Sequence, residues 1–104
     1  MENGRFYFKL TKTGNLIGEF FNDDGNGTES SDRQKGDKQE YEGAYITTWQ
    51  EKNKARIADL KIIKMLEEYK LEWIEGSDGT TFTGSGRVGV DGTLFGTYNY
   101  IGRK

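Results

Sequence analysis

Aromatic side chains that carry a polar atom are the residues of this sequence with the most chemistry to offer. The chain has no Cys and no His, which excludes thiol nucleophiles, disulfides, imidazole bases and the usual Cys/His zinc sites. Tyrosine hydroxyls and indole N–H groups remain as candidates. They belong to residues that alternate with period two, as the residues of a half-buried strand do. Rings with one polar tip suit a ligand held by stacking and a few hydrogen bonds. We predict a ligand-binding site formed by Phe20, Tyr45, Trp73 and Tyr98, with no catalytic residue, no cofactor and no metal ion.

Carboxylates could add acid–base chemistry only if they faced the same interior as these rings. Glu19, Glu42, Asp59 and Glu72 instead fall on the opposite parity of their predicted strands and should therefore point outward. The interior is thus expected to hold no charge, so a ligand inside it should be neutral and largely apolar. We predict a binding module for such a ligand and not an enzyme.

Two glycine-rich motifs resemble known ligand loops as strings of letters. Residues 84–89 read GSGRVG and match the dinucleotide pattern G-x-G-x-x-G, but that site needs a helix after the motif, whereas another strand follows here. Residues 22–27 imitate the start of a calcium loop, yet its twelfth position is Arg33, where a bidentate Glu is required. Neither motif predicts a site.

The composition predicts one soluble domain over residues 1–104. The chain is 33% hydrophobic, 31% charged and 13% aromatic, too aromatic for a disordered chain and too polar for a membrane one. A net charge of −2 disfavours nucleic acid, and no apolar run approaches the roughly 18–20 residues that a membrane helix needs. We expect neither nucleic acid nor membrane as a partner, and a cytoplasmic location unless a signal peptide has been removed.

Alternation of apolar and polar residues with period two predicts strands along most of the chain. The predicted strands lie near residues 6–10, 16–20, 41–49, 58–62, 69–73, 82–88 and 94–100, with turns at 12–15, 77–79 and 90–93. Residues 22–39 contain no apolar side chain and are rich in Asn, Asp, Gly and Ser. That composition predicts a mobile polar loop on the surface.

The segment 53–69 fits two structures. Ala58, Ile62 and Leu66 also lie on a helical stripe, so a helix, and with it an α+β fold, is the alternative. Its charges would oppose the helix dipole, since Lys and Arg lie at the N-terminal end and Glu67 and Glu68 at the C-terminal end. A strand–turn–strand is therefore favoured.

Three short stretches carry a family resemblance: Gly4-Arg5-Phe6-Tyr7, the GNLIGEF of residues 14–20 and the LFGTY of residues 94–98. Their pattern of glycine, bulky residue and aromatic resembles the strands of avidin-like and lipocalin-like, calycin-type meander barrels. That resemblance implies an up-and-down barrel with a ligand pocket at one mouth, commonly oligomeric in the avidin group, although no biotin-site pattern is present. We predict an all-β antiparallel meander barrel of about seven to eight strands, in which the repeated glycines indicate tight curvature.

The opposite parity carries apolar residues as well as charges. Eight large ones share it: Ile17, Phe21, Ile46, Ile57, Ile63, Ile74, Phe95 and Ile101. Because a contiguous apolar patch marks an interaction surface, we predict a homo-oligomer. The alternative function is accordingly an oligomeric structural or protein-interaction subunit whose core is filled.

Overall fold

Eight antiparallel strands close into a barrel in this computed structural model, which describes residues 3–76 and 80–101. The strands are β1 (Gly4–Leu10), β2 (Leu16–Asn22), β3 (Gly25–Lys35), β4 (Gly43–Glu51), β5 (Lys54–Met65), β6 (Glu68–Ile74), β7 (Thr80–Val88) and β8 (Leu94–Tyr100). Each pairs with its neighbours in chain order, and β1 pairs with β8 to close the sheet. The predicted up-and-down meander barrel is confirmed, with eight strands.

The alternation seen in the sequence separates the inside of the barrel from the outside. The buried apolar side chains form one cluster along the axis: Phe6, Phe8, Leu16, Tyr41, Tyr45, Trp49, Ala58, Leu60, Ile62, Tyr69, Leu71, Trp73, Phe82, Leu94 and Tyr98. An eight-stranded barrel is just wide enough for its inward side chains to fill. Large aromatic rings therefore occupy most of this interior.

The strand–turn–strand favoured over 53–69 is confirmed, and the alternative helix there is wrong. Residues 54–65 form β5 and residues 68–74 form β6, paired antiparallel with Leu60 opposite Trp73. Leu66 turns the chain between them with a φ of 54°. The strands prevail because alternate residues of the segment reach the core, whereas a helix would break the ladder on both sides. The turn predicted at 77–79 lies outside the described residues.

The predicted polar loop over 22–39 needs the largest correction. Residues 25–35 are the strand β3, which pairs with β2 on one side and β4 on the other. Its outward residues are polar and meet water, and its inward residues include the small Gly27 and Ser31. The backbone hydrogen bonds to two neighbouring strands hold β3 in place, so the segment needs no apolar side chain to be ordered.

One end of the barrel is plugged by Arg33, at the far end of β3. Its Nε donates to the carbonyl of Gly14 at 2.8 Å and its Nη1 to that of Glu42 at 3.1 Å, while Nη2 donates to the carbonyl of Glu40. The guanidinium also lies over the ring of Tyr45, 4.8 Å from its centroid. Three backbone carbonyls and a ring face thus compensate the charge.

Two tyrosines complete this closed end. The Tyr45 hydroxyl donates to the carbonyl of Tyr41 at 2.6 Å. The Tyr41 hydroxyl lies 2.6 Å from the carbonyl of Gly92 and 3.1 Å from that of Phe8. Burial raises the pKa of Tyr45 to about 12. These polar atoms are satisfied within the protein, so this end offers nothing to a ligand.

The strand glycines allow close approach of neighbouring backbones. A Cβ atom on Gly18 would lie 1.9 Å from the carbonyl oxygen of Tyr7, and one on Gly96 would lie 1.9 Å from that of Ser85. Both contacts are with backbone atoms, which cannot rotate away. The predicted role of these glycines in curvature is consistent with this geometry.

Replacing Gly96 by Ala is expected to destabilise the protein by roughly 1–3 kcal/mol, because the new methyl group must push β7 and β8 apart. Thr97→Ala, at the adjacent exposed position, serves as the control and should cost much less. Urea denaturation of both variants measures the difference. Equal stability of the two variants would contradict the packing role assigned to Gly96.

Candidate binding cavity at the open mouth of the barrel

A cavity of about 30 Å³ lies at the end of the barrel opposite the Arg33 plug and opens to solvent. Side chains from β1, β2, β3, β4, β6, β7 and β8 surround it: Phe6, Phe20, Asn22, Glu29, Trp49, Glu51, Trp73, Phe82 and Tyr98. Six of these nine are aromatic. The mouth is therefore a ring-lined chamber with a few polar atoms, the usual make-up of a small-molecule site.

Glu29 supplies the polar floor of the cavity. Its side chain points inward from β3, with only 6% of its surface exposed. The Thr47 hydroxyl donates to Oε2 of Glu29 at 2.7 Å, and the Trp73 indole N–H donates to the same oxygen at 2.8 Å. Behind them the fully buried Ser31 hydroxyl donates to Thr47 at 2.7 Å. The network fixes the carboxyl group and leaves its second oxygen unused.

Glu29 lines the cavity, and its second oxygen, Oε1, differs from Oε2 in its hydrogen bonding. No described hydrogen bond ends on it, whereas every fully buried side-chain polar atom of the described residues has a partner. Oε1 must therefore keep some contact with the space that Glu29 lines. One carboxyl oxygen belongs to the protein and the other is available to a ligand.

Burial controls the ionisation of Glu29. Desolvation raises its pKa from 4.5 to about 7, against the opposing effect of the hydrogen bonds from Thr47 and Trp73. Near neutral pH the group thus exists both as carboxylate and as carboxylic acid. Oε2 accepts its two hydrogen bonds in either form, so the proton can reside on Oε1.

Trp73 lies at the centre of the aromatic wall. Its ring centroid is 5.9 Å from that of Phe6, 6.4 Å from that of Phe82 and 6.2 Å from that of Tyr98, with interplanar angles of 77°, 80° and 59°. Edge-to-face pairs of this kind hold one another in fixed orientations. The walls of the cavity are therefore preorganised.

At the rim of the mouth, Arg56 lies between two acids. Arg56 donates from Nε and Nη2 to the carboxylate of Glu75 at 2.7 and 2.6 Å, and from Nη1 to Glu51 at 3.1 Å. Its guanidinium also lies 5.6 Å from the ring centroid of Trp49. Arg56 is thus committed to its two acidic partners and does not line the cavity.

On the other side of the mouth, the amide of Asn22 donates to the hydroxyl of Tyr98 at 2.8 Å. Its carbonyl oxygen accepts from the backbone N–H of Asp24 at 2.8 Å, which begins the turn into β3. Asn22 therefore stabilises the hairpin and positions the Tyr98 hydroxyl. Asn22, the first residue of the calcium-like motif at 22–27, therefore has a structural role in this turn.

The structure brings together three of the four predicted ligand residues. Phe20, Trp73 and Tyr98 line the cavity, whereas Tyr45 lies at the closed end beneath Arg33. All four share the inward parity, but strand length separates Tyr45 from the mouth. The expectation of a charge-free interior is wrong, because Glu29 lies inside. The prediction of a neutral ligand depended on a charge-free interior and therefore loses its support.

Sequence reasoning missed Glu29 because it lies in the segment predicted as a loop. On β3, inward and outward residues are alike polar, so alternation gives no signal. The number of predicted strands does give a signal. Neighbours in a meander run in opposite directions, so a closed barrel with only antiparallel pairs needs an even number of strands. Seven predicted strands therefore imply an eighth, and residues 22–39 form the one unassigned stretch long enough for it.

The arrangement is suited to binding. Glu29 is the buried acid of an aromatic chamber, and the other acid among its described lining residues, Glu51, is already paired with Arg56. The described residues contain no group of three acidic, Cys or His side chains that could hold a metal ion. They also contain no helix long and apolar enough to cross a membrane.

Comparison of the chain with protein-family models, curated proteins and solved structures finds no match. The fold and the cavity define the class: a closed, eight-stranded up-and-down β-barrel with an aromatic, carboxyl-bearing chamber at one mouth.

Removing the carboxyl group should change how stability depends on pH. A folded-state pKa of about 7 against 4.5 unfolded means that the folded protein binds the proton more tightly. The contribution of Glu29 to stability is therefore greatest at low pH and falls by roughly 3 kcal/mol as the pH rises from about 4.5 through about 7. Glu29→Gln keeps acceptors for Thr47 and Trp73 and should abolish this fall.

Urea denaturation between pH 5 and pH 8 measures this effect as the difference in unfolding free energy between Glu29→Gln and the wild type. The variant should gain stability relative to the wild type as the pH rises. Glu72→Gln, on the outer side of β6, is the matched control and should run parallel to the wild type. A constant difference for Glu29→Gln would show that Glu29 titrates normally.

Proposed function

We propose that this protein is a non-enzymatic binding module that takes a small, largely apolar molecule into the open mouth of its barrel. The observation that carries this proposal is the unused Oε1 atom of the buried Glu29, a residue that lines a cavity walled by aromatic rings. Burying a carboxyl group in a chamber of aromatic rings is costly. A bound molecule that donates to Oε1 would recover part of that cost.

The size of the cavity limits the ligand. A cavity needs roughly 10–15 Å³ to hold one water molecule. A chamber of about 30 Å³ therefore accepts a small head group and not an entire drug-sized molecule. The remainder of the ligand would lie at the entrance, against the half-buried ring of Phe20. A flat or narrow molecule with one polar end fits this shape best.

The interior provides its own reporter. The chain has two tryptophans, Trp49 and Trp73, and both line the cavity. A molecule that enters the mouth therefore changes the environment of every tryptophan in the protein. Native mass spectrometry of the protein purified from cells shows any retained molecule, and tryptophan emission then follows binding of that molecule or of small aromatic amines and alcohols.

Phe20→Ala should weaken such binding roughly tenfold, because the ligand loses one ring contact at the entrance. Phe21→Ala is the matched control, since Phe21 points outward from the same strand and packs near Tyr7 and Arg5. It should bind as the wild type does. A tryptophan signal that no added molecule changes, in a protein that also carries no retained mass, would contradict the binding function.

A second candidate function, an oligomeric interaction subunit, is favoured by the outer surface. Ile46 on β4 and Ile57 on β5 are 39% and 62% exposed and occupy diagonal positions of the paired strands. Ile63 extends the exposed apolar surface along β5, whereas Ile17 on β2 and Phe95 on β8 lie on other sides of the barrel, because closure distributes the outer face of the sheet around the molecule. A self-association surface would therefore centre on β4 and β5.

If the β4–β5 face mediates assembly, Ile57→Lys should shift the protein from oligomer to monomer while the fold is kept. A buried lysine without a partner would cost several kcal/mol at such an interface. Sedimentation velocity measures the change, and Ile17→Lys, on β2 at another side of the barrel, is the control that should leave assembly intact. A wild-type monomer, or an oligomer that Ile57→Lys does not disturb, would exclude this face.

A further inference from the structure

We propose that the ligand is a small organic cation, an ammonium or amidinium group on an apolar body, whose positive head enters the cavity and pairs with Glu29. This inference rests on the binding function proposed above and names the chemical class of its ligand.

The charge of the lining favours a cation. Glu29 and Glu51 are acidic, and no lysine or arginine occurs among the described residues that line the cavity. Arg56, at the rim, donates its hydrogen bonds to Glu51 and Glu75. Among these described lining residues an anionic ligand would meet carboxyl groups and no cation, so they would not compensate its desolvation.

The carboxyl group is arranged to receive a donor. Its Oε2 atom accepts from Thr47 and Trp73, which holds the group still and leaves Oε1 to a donor from the cavity. An N⁺–H donor placed there would form a charge-assisted hydrogen bond in a site shielded from water, where such a bond is strong. No ordering of the carboxyl group is required when the ligand arrives.

The aromatic walls favour the same charge. The face of an aromatic ring attracts a cation within about 6 Å, and tryptophan does so best. Trp73 points its indole N–H edge at Glu29, so the ring faces available to a cation there would be those of Phe6, Phe82 and Tyr98, which also line the cavity. A chamber of about 30 Å³ fits an ammonium group with the first carbon of its body. The apolar remainder would contact Phe20 at the entrance.

Binding of a cation should depend on the ionisation of Glu29. Among the described residues, the charged groups at the mouth are Glu51 at the end of β4, Arg56 on β5 and Glu75 after β6. Asp24 and Lys52 line the adjoining recess, and the phenol of Tyr98 reaches the cavity from β8. Burial places the pKa of Glu29 at about 7. The ionised fraction, and hence the affinity for a cation, should rise about tenfold between pH 6 and pH 8.

The experiment compares three probes of equal ring size: benzylammonium, benzyl alcohol and benzoate. Tryptophan emission and isothermal titration calorimetry of the full chain measure each affinity at pH 8. Benzylammonium should bind at least tenfold more tightly than benzyl alcohol, and benzoate should not bind. Affinity for benzylammonium should fall about tenfold at pH 6, with proton release on binding, while that for benzyl alcohol should not fall.

Two variants then separate the effect of the Glu29 charge on binding from the effect of the shape of the cavity. Glu29→Gln should weaken benzylammonium binding at least tenfold and leave benzyl alcohol within about twofold of the wild type, since the amide has the same shape without the charge. Glu72→Gln, outside the barrel, should bind both probes as the wild type does. Circular dichroism confirms that each variant is folded.

Each contrary result has a definite meaning. If benzyl alcohol binds as tightly as benzylammonium, or if Glu29→Gln does not reduce the preference for the cation, the charge inference is overturned while the binding function stands. If none of the three probes binds, the charge inference is overturned, and the retained mass in native mass spectrometry decides the binding function separately.

Discussion

Closure of the sheet between β1 and β8 is the constraint on which the rest of this structure depends. It pairs Phe6 with Gly96 and Gly4 with Tyr98 and leaves none of the eight described strands at a sheet edge, which removes a usual route to aggregation. Closure also fixes an inside and an outside for every strand. With eight strands the inside is narrow, so the inward side chains must be chosen to fill it.

The same constraint brings a polar segment into the wall. A meander that closes with only antiparallel pairs must have an even number of strands, and β3 supplies the eighth although it has no apolar residue. Because side chains alternate, every second residue along the middle of β3 faces the interior, and three of these inward residues are polar. Ser31, Glu29 and Arg33 are those residues, and each has to be accommodated by its surroundings.

The two ends of β3 solve this problem differently. At the closed end, Arg33 donates to three backbone carbonyls and lies over Tyr45, so its charge is compensated. At the open end, Glu29 has hydrogen bonds on one oxygen only, and desolvation raises its pKa to about 7. An ionised carboxylate in this place reduces the stability of the protein, as residues arranged for binding commonly do. The contrast supports the proposal that a ligand binds at the mouth and not at the closed end.

The sequence by itself determined the class of fold and most of the aromatic wall. Period-two alternation identified seven strands, and the Asp-Gly turn before β8 and the strand–turn–strand of β5 and β6 follow from local chemistry. Inward parity also selected Phe20, Trp73 and Tyr98, since it depends only on neighbours along the chain. Tyr45 shares that parity, yet depth along the barrel axis, which no local pattern encodes, places it at the opposite end. The identity of β3 and the burial of Glu29 were decided only by tertiary structure. They arise from pairing with strands on both sides and from closure, and a polar segment carries no local trace of either.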